Sequence, residues 1–132
     1  MSASERALEL VTAAAEAASD KLARNIVAFD VSGQYVITDA YVLASAANER
    51  QITAVVDEVE ERLRVLGAKP VRREGGSNSR WVLLDYLDLV VHVQHVEERE
   101  YYSLERLWKD CPAITLPESV TRPEAAEDGT GD

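Results

Sequence analysis

Apolar positions recur along the chain with two periods, and each period predicts a kind of element. Leu8, Val11, Ala15, Ala18 and Leu22 fall at helical spacing with alanine abundant between them, predicting a helix that opens near Ser4 with Ser2 and Glu5 as a capping box. Small side chains suit close packing on a sheet or second helix; the same stripe would also serve as a dimer seam, and the core-facing role is preferred. Three short extended segments follow, at 25–30, 35–38 and 41–45, with Ser32-Gly33-Gln34 as a turn and 31–39 as one hairpin arm. The helical period then returns in its strongest form. Ile52, Val55, Val56, Val59, Leu63 and Leu66 make one continuous face after an Asn48 cap. Gly67 is placed to end that helix in the left-handed conformation, with Pro70 just beyond. Asp57, Glu58, Glu61, Arg62 and Arg64 form its solvated face.

Beyond Val71-Arg72-Arg73, a predicted short edge strand, and the Gly- and Ser-rich loop at 74–79, alternation takes over. The run 81–93 reads as a hairpin with Tyr86 and Leu87 as its two turn residues. That register sets Asp85 opposite Asp88, Leu84 opposite Leu89, Leu83 opposite Val90, Val82 opposite Val91 and Trp81 opposite His92. Because faces alternate along a strand, Val82, Leu84, Leu89, Val91 and Val93 form an aliphatic core face. The other face holds Trp81, Leu83, Val90 and His92, rimmed by the two aspartates. Either a helix covers this mixed face, or part of it stays open as a binding surface, where tryptophan is a favoured anchor. The facing carboxylates would repel unless a cationic partner offset them.

A last helix is expected over 97–110, with Tyr101, Leu104 and Trp108 on one face and Leu107 beside them. Tyr101 and Trp108 are expected in the core. Arg99, Tyr102, Glu105, Arg106 and Lys109 point outward, which makes Tyr102 a candidate contact. Periodicity stops after Pro112, so residues 1–112 read as the folded domain and 113–132 as an acidic disordered tail. The element order predicts an α/β (α+β) domain with a mixed sheet of about five strands flanked by helices.

Composition narrows the function. A chain of 132 residues is one domain, and its formal net charge of −10 disfavours contact with nucleic-acid phosphates and favours a basic partner. The single Cys111 excludes an internal disulfide, and no Cys/His spacing suits zinc. No apolar run approaches a membrane span and the start is not a signal peptide, so a cytoplasmic protein is expected. Catalytic patterns are sparse. There is no Rossmann or P-loop glycine motif, and His92 and His95 sit on a strand without a nearby nucleophile. Gly75-Gly76-Ser77 followed by Asp85 and Asp88 is faintly similar to nucleotidyltransferases, whose two carboxylates are separated by one residue and so share one face of a strand; here two residues intervene. No catalytic residue, cofactor or metal is expected.

Glu74-Gly75, Trp81, Asp85, Asp88, Val91-His92, Arg99, Tyr102, Leu104-Glu105 and Leu107-Trp108 occur in that order. Upstream lie Ile26-Val27-Ala28-Phe29-Asp30-Val31, Ile37-Thr38-Asp39 and Arg50-Gln51. From Ser4 to Asp110 this pattern resembles the ribosomal silencing factor (Iojap) family. The resemblance implies a cytoplasmic, non-enzymatic protein whose fold is related to nucleotidyltransferases. It further implies binding to the large ribosomal subunit through its protein L-fourteen. Docking there blocks joining of the small subunit, represses translation under nutrient limitation and assists late subunit assembly; several members are homodimers when free. On this reading Trp81 and Leu83 supply an apolar anchor, Asp85 and Asp88 face basic groups, and Tyr86 and Tyr102 complete the contact. The enzyme-class alternative is a divergent nucleotidyltransferase using Asp85 and Asp88, and a dimerising adaptor is a third reading. Leu87 departs from the family pattern, which commonly has glycine between the acidic residues, and Ser45-Ala46-Ala47-Asn48 replaces a Gly- and Ser-containing turn.

Overall fold

The structure, a computed structural model, describes residues 3–34, 38–76 and 78–121. Its elements run α1 (Glu5–Asp20), β1 (Arg24–Asp30), β2 (Ala40–Ala46), α2 (Glu49–Val65), β3 (Arg72–Glu74), β4 (Trp81–Asp85), β5 (Leu89–His95), α3 (Val96–Tyr102), a 3₁₀ segment (Leu104–Trp108) and α4 (Glu118–Thr121). The strands form one 5-stranded sheet in the order β1-β2-β5-β4-β3. Neighbours β2 and β5 are parallel, and the other neighbouring pairs are antiparallel. The mixed sheet with flanking helices is the α+β architecture expected.

Both long helices pack on one sheet face. The first opens where Ser4 Oγ accepts the Ala7 N–H at 3.0 Å; Ser2, the predicted capping residue, lies outside the described residues. Its buried stripe is Ala7, Leu10, Val11, Ala14, Ala15, Ala17 and Ala18. Two predicted members drop out. Leu8 is at the surface, and Leu22 lies past the helix end, exposed, with φ 65°. The alanines join the core shared with α2 and the sheet, so the stripe is core-facing. In α2, Asn48 Oδ1 accepts from Gln51 N and Gln51 Oε1 accepts from Ala47 N, both at 2.8 Å. Ile52, Val55, Val56, Val59 and Leu63 are buried, each stabilising the fold by about 1.5–3 kcal/mol relative to exposure. Gly67 at φ 86° closes the helix, with Ala68 N donating to Leu63 O at 2.8 Å, as a Schellman cap requires.

The hairpin is shifted from its expected register. Asp85 pairs with Val90, Leu84 with Val91, Leu83 with His92, Val82 with Val93 and Trp81 with Gln94. Tyr86 N donates to Leu89 O at 2.8 Å, so Leu87 and Asp88, not Tyr86 and Leu87, form the turn. Moving the turn by one residue shifts each pairing by two, and a two-residue shift keeps every side chain on its face. The aliphatic face is therefore as expected: Val82, Leu84, Leu89, Val91 and Val93 are all core. The physical gain is Tyr86, which becomes a strand extension buried in that core instead of an exposed turn residue. The aspartates are not cross-strand partners, which removes the expected repulsion.

Two further expectations change, and one cannot be tested. The segment at 35–38 cannot be compared, because 35–37 lie outside the described residues. The last helix does not run from 97 to 110: it breaks at Ser103, which takes φ 46°, and the chain turns back as the 3₁₀ segment. That bend buries Trp108 against Phe29 and Tyr41. Finally, packing continues beyond Pro112. Asp30 N donates to Pro112 O at 2.8 Å and Ile114 N to Ala28 O at 2.9 Å, along the free edge of β1. Leu116 and Val120 are buried, so the folded part reaches α4; the acidic run 124–132 lies outside the described residues.

Leu87 sits at φ 72°, with Asp88 N donating to Tyr86 O at 2.9 Å, a tight turn that strains a branched side chain. The left-handed conformation costs about 1–2 kcal/mol, against about 0.5–1 kcal/mol of extra chain entropy for glycine. Leu87→Gly should therefore stabilise the protein by about 0.5–1 kcal/mol in urea unfolding, without a change in slope.

Candidate functional site

The second sheet face is covered unevenly, so the two readings of it meet on one surface. Over β1 and β2, Leu104, Trp108 and Cys111 pack on Val27, Phe29, Val31, Tyr41 and Leu43 as a second core. Trp108 stands edge-on to Tyr41 at 4.3 Å between centroids and lies 6.1 Å from His92. This cover ends at β4. There Trp81 and Leu83 are half-buried, and an open groove of about 330 Å³ is lined by Glu74, Gly75, Trp81 and Leu83. Tyr102, 51% exposed, leans on the Trp81 ring at 5.0 Å, and Tyr101 meets Tyr102 edge-on at 4.9 Å.

Three devices hold this aromatic pair in place. Trp81 Nε1 donates to His92 Nδ1 at 3.0 Å. His92 is 6% exposed, and burial pushes its pKa down to about 4, which keeps Nδ1 free to accept. Gly75 takes φ 93°, and a Cβ there would stand 2.7 Å from the Trp81 carbonyl oxygen. Only glycine lets the 74–76 loop pass so close to β4. The third device is a pair of arginines that fix α3. Arg99, buried and not outward as its spacing suggested, donates from Nη1 to Ser45 Oγ at 2.7 Å and from Nε to Glu105 Oε2 at 2.9 Å. It thereby spans the bend at Ser103. Burial alone would raise the Glu105 carboxyl, but the Arg99 bonds outweigh it and hold it below its ordinary value. Arg80 binds Glu98 at 3.0 Å and Glu97 at 2.7 Å on α3, and lies 3.5 Å from Glu49 on α2.

The predicted contact residues separate into three groups. Trp81, Leu83 and Tyr102 are brought together. Asp85 and Asp88 lie at the turn end of β4: Asp85 Oδ1 accepts the Leu87 N–H at 2.9 Å, and its Oδ2 is 4.0 Å from Arg72 of the same chain. Tyr86 is a correction. It is 6% exposed on the aliphatic side, where burial raises its phenol pKa and its hydroxyl has no hydrogen-bond partner among the described residues. It cannot meet a partner from there, because strand alternation points it away from Trp81. Tyr101 is a second correction: at 79% exposure it is surface, not core. Leu107 is exposed as well. Both follow from the break at Ser103, which the uninterrupted helical spacing did not signal.

For phosphoryl-transfer chemistry the arrangement lacks the expected geometry. Asp85 ends a strand and Asp88 occupies the turn, so the two carboxylates do not project from one face of one strand. Among the described residues, no group of three or more His, Cys, Asp or Glu side chains is placed to hold a metal; Ser77 of the Gly-Ser turn lies outside them. No helix among them is long and apolar enough to cross a membrane. What the site offers is a partly apolar, aromatic surface beside carboxylates, which is chemistry for docking a protein.

The protein is thus a small α+β domain with a partly open aromatic sheet face, and comparison with known proteins specifies its class. The family model described as "Ribosomal silencing factor during starvation" matches residues 4–131. The "Ribosomal silencing factor RsfS" of Halalkalibacterium halodurans is 39% identical over 108 residues, which span 82% of this chain and 92% of that protein. The protein of the same name from Bacillus subtilis is 38% identical over 103 residues, 78% of this chain and 87% of its own length. A crystal structure from Chromobacterium violaceum superposes with a TM-score of 0.74 at 32% identity, covering 77% of this chain and 85% of that one. The chain belongs to the ribosomal silencing factor family.

The His92 environment makes a pH prediction. The folded pKa of about 4 lies below the ordinary 6.5, so between these values the unfolded chain binds the extra proton. Stability is then fully present above pH 6.5 and declines as pH falls toward 4, with a slope approaching about 1.4 kcal/mol per pH unit. Chemical denaturation from pH 7 to 4 should show this loss, and His92→Gln should flatten it.

Proposed function

We propose that this protein is a ribosome-docking silencer: it binds the large ribosomal subunit through protein L-fourteen, blocks joining of the small subunit and lowers translation when nutrients are short. The observation that carries the reading is the pairing of half-buried Trp81 with exposed Tyr102 beside Leu83, at the margin of the second face where the Trp108 cover stops. Family membership supports the ribosomal target, and the net charge of −10 suits a basic ribosomal-protein partner better than ribosomal RNA. Trp81 and Leu83 act as the apolar anchor, and Tyr102 widens it. Asp85 and Asp88 flank the anchor with negative charge, the former shared with Arg72. Tyr86 has no part in the contact.

On this reading no catalysis is involved. The protein acts by occupancy in the cytoplasm, is a homodimer when free and assists late subunit assembly through the same contact. Silencing by steric exclusion needs only an affinity that competes with subunit joining, and a few central aromatic residues are enough to supply most of it.

Co-sedimentation with purified large ribosomal subunits tests the proposal. Wild-type protein should pellet with them, and Trp81→Ala should weaken binding by at least about 30-fold, the scale of an interface hot spot, while remaining folded. Trp108→Ala is the contrasting control, expected to lose about 3–5 kcal/mol of stability as a core truncation. Unaltered sedimentation of a folded Trp81→Ala protein would rule out this face as the docking surface.

A further inference from the structure

We infer that His92 is the positioning residue of the docking face: its Nδ1 takes the Trp81 indole N–H and fixes which part of that ring a partner meets. The inference rests on the reading that Trp81 anchors a partner. Its geometry is independent of that reading. Leu83 is the direct cross-strand partner of His92, so Trp81 is its diagonal neighbour, within reach of long side chains. The bond measures 3.0 Å. A half-buried indole without such a bond samples several staggered rotamers, and the bond selects one. His92 is itself immobilised, with Tyr41 at 5.6 Å and Trp108 at 6.1 Å. The order of restraint runs outward, from the buried Trp108 through His92 to the half-buried Trp81.

This fixes the chemistry of the contact. The only polar group of the indole is satisfied within the chain, so a partner gains nothing by placing an acceptor against it. What Trp81 presents is carbon surface, continuous with Leu83, and the matching surface is apolar. Neutral imidazole is required, because protonation at Nδ1 would replace the acceptor with a second donor. Leucine at this position would fill the volume but leave the indole without its acceptor, which separates orientation from simple packing.

Solution NMR of the full chain, combined with binding to purified large subunits, tests the assignment. The Trp81 indole N–H signal is identified by its loss in Trp81→Phe. In His92→Leu that signal should move and exchange faster with water, and affinity for the subunit should fall about five- to tenfold, the worth of one hydrogen bond. His92→Gln, which restores an acceptor, should recover most of both. In a Trp81→Phe background His92→Leu should reduce binding no further. An unmoved indole signal overturns the inference, as does a moved signal with unchanged affinity, or an equal loss in both backgrounds. If His92→Leu does not fold, Trp81→Phe alone decides: it keeps an aromatic ring but loses the restraint, so unchanged binding overturns the inference. Absence of binding by the wild type would remove the docking reading and the partner half of this inference, while the indole signal still decides whether His92 orients Trp81.

Discussion

Strand β5 is buried along its whole length, and this single constraint organises the molecule. A strand with both sides withdrawn from water must be covered twice. On one side the cover is the alanine-rich face of α1 and the aliphatic face of α2. On the other side nothing so large is available among the described residues. The chain supplies a short helix, a bend and one 3₁₀ segment, with Trp108 as the largest covering group. That second cover is enough for β1, β2 and β5, and it stops at β4. The surface assigned to docking is where a small cover runs out.

The same economy explains why aromatic rings are concentrated there. Phe29, Trp108, Tyr41, His92, Trp81 and Tyr102 form a continuous series of ring contacts from the buried second core to the surface. Flat, rigid side chains cover a large area at low entropic cost. The inner members of the series are packing residues and the outer members reach the surface, so on the proposed reading stability and docking share one structure. The arginines Arg80 and Arg99 keep the outer end in register with the sheet, by ion pairs to α3 and across its bend.

Much of this was legible in the sequence, and what was not has identifiable causes. The faces of β4 and β5 were readable from alternation alone, and they survived an incorrect turn because a two-residue slip preserves side-chain direction. Caps at Asn48 and Gly67 were readable because each residue type is suited to its position. Tyr86 was misplaced because a turn was centred one residue early, and a single residue of error there moves a phenol from surface to core. The break at Ser103 left no glycine or proline as a signal; it depends on Arg99 reaching Glu105 and Ser45, a tertiary arrangement with no local spacing. Tyr101 and Leu107 followed that error to the wrong environment. The pairing of Pro112–Ile114 with β1 was missed because a short segment with two prolines nearby has no period to read.

Gln51 gives the molecule a mechanical asymmetry. Its side-chain amide accepts from Ala47 N and donates to the carbonyls of Lys21 and Leu22, each at 3.0 Å or less. One side chain thus fastens the end of α1 to the start of α2, while Arg6 ties the other end of α1 to the Leu66 carbonyl at 2.6 Å. Tied at both ends, the two helices form one continuous layer behind the sheet. The opposite layer is a pair of short arms joined at one residue. The two covers of the sheet are thus built differently: one is tied helix to helix, and the other is held through Arg99 to Ser45 of the sheet and through Arg80 to Glu49 of α2.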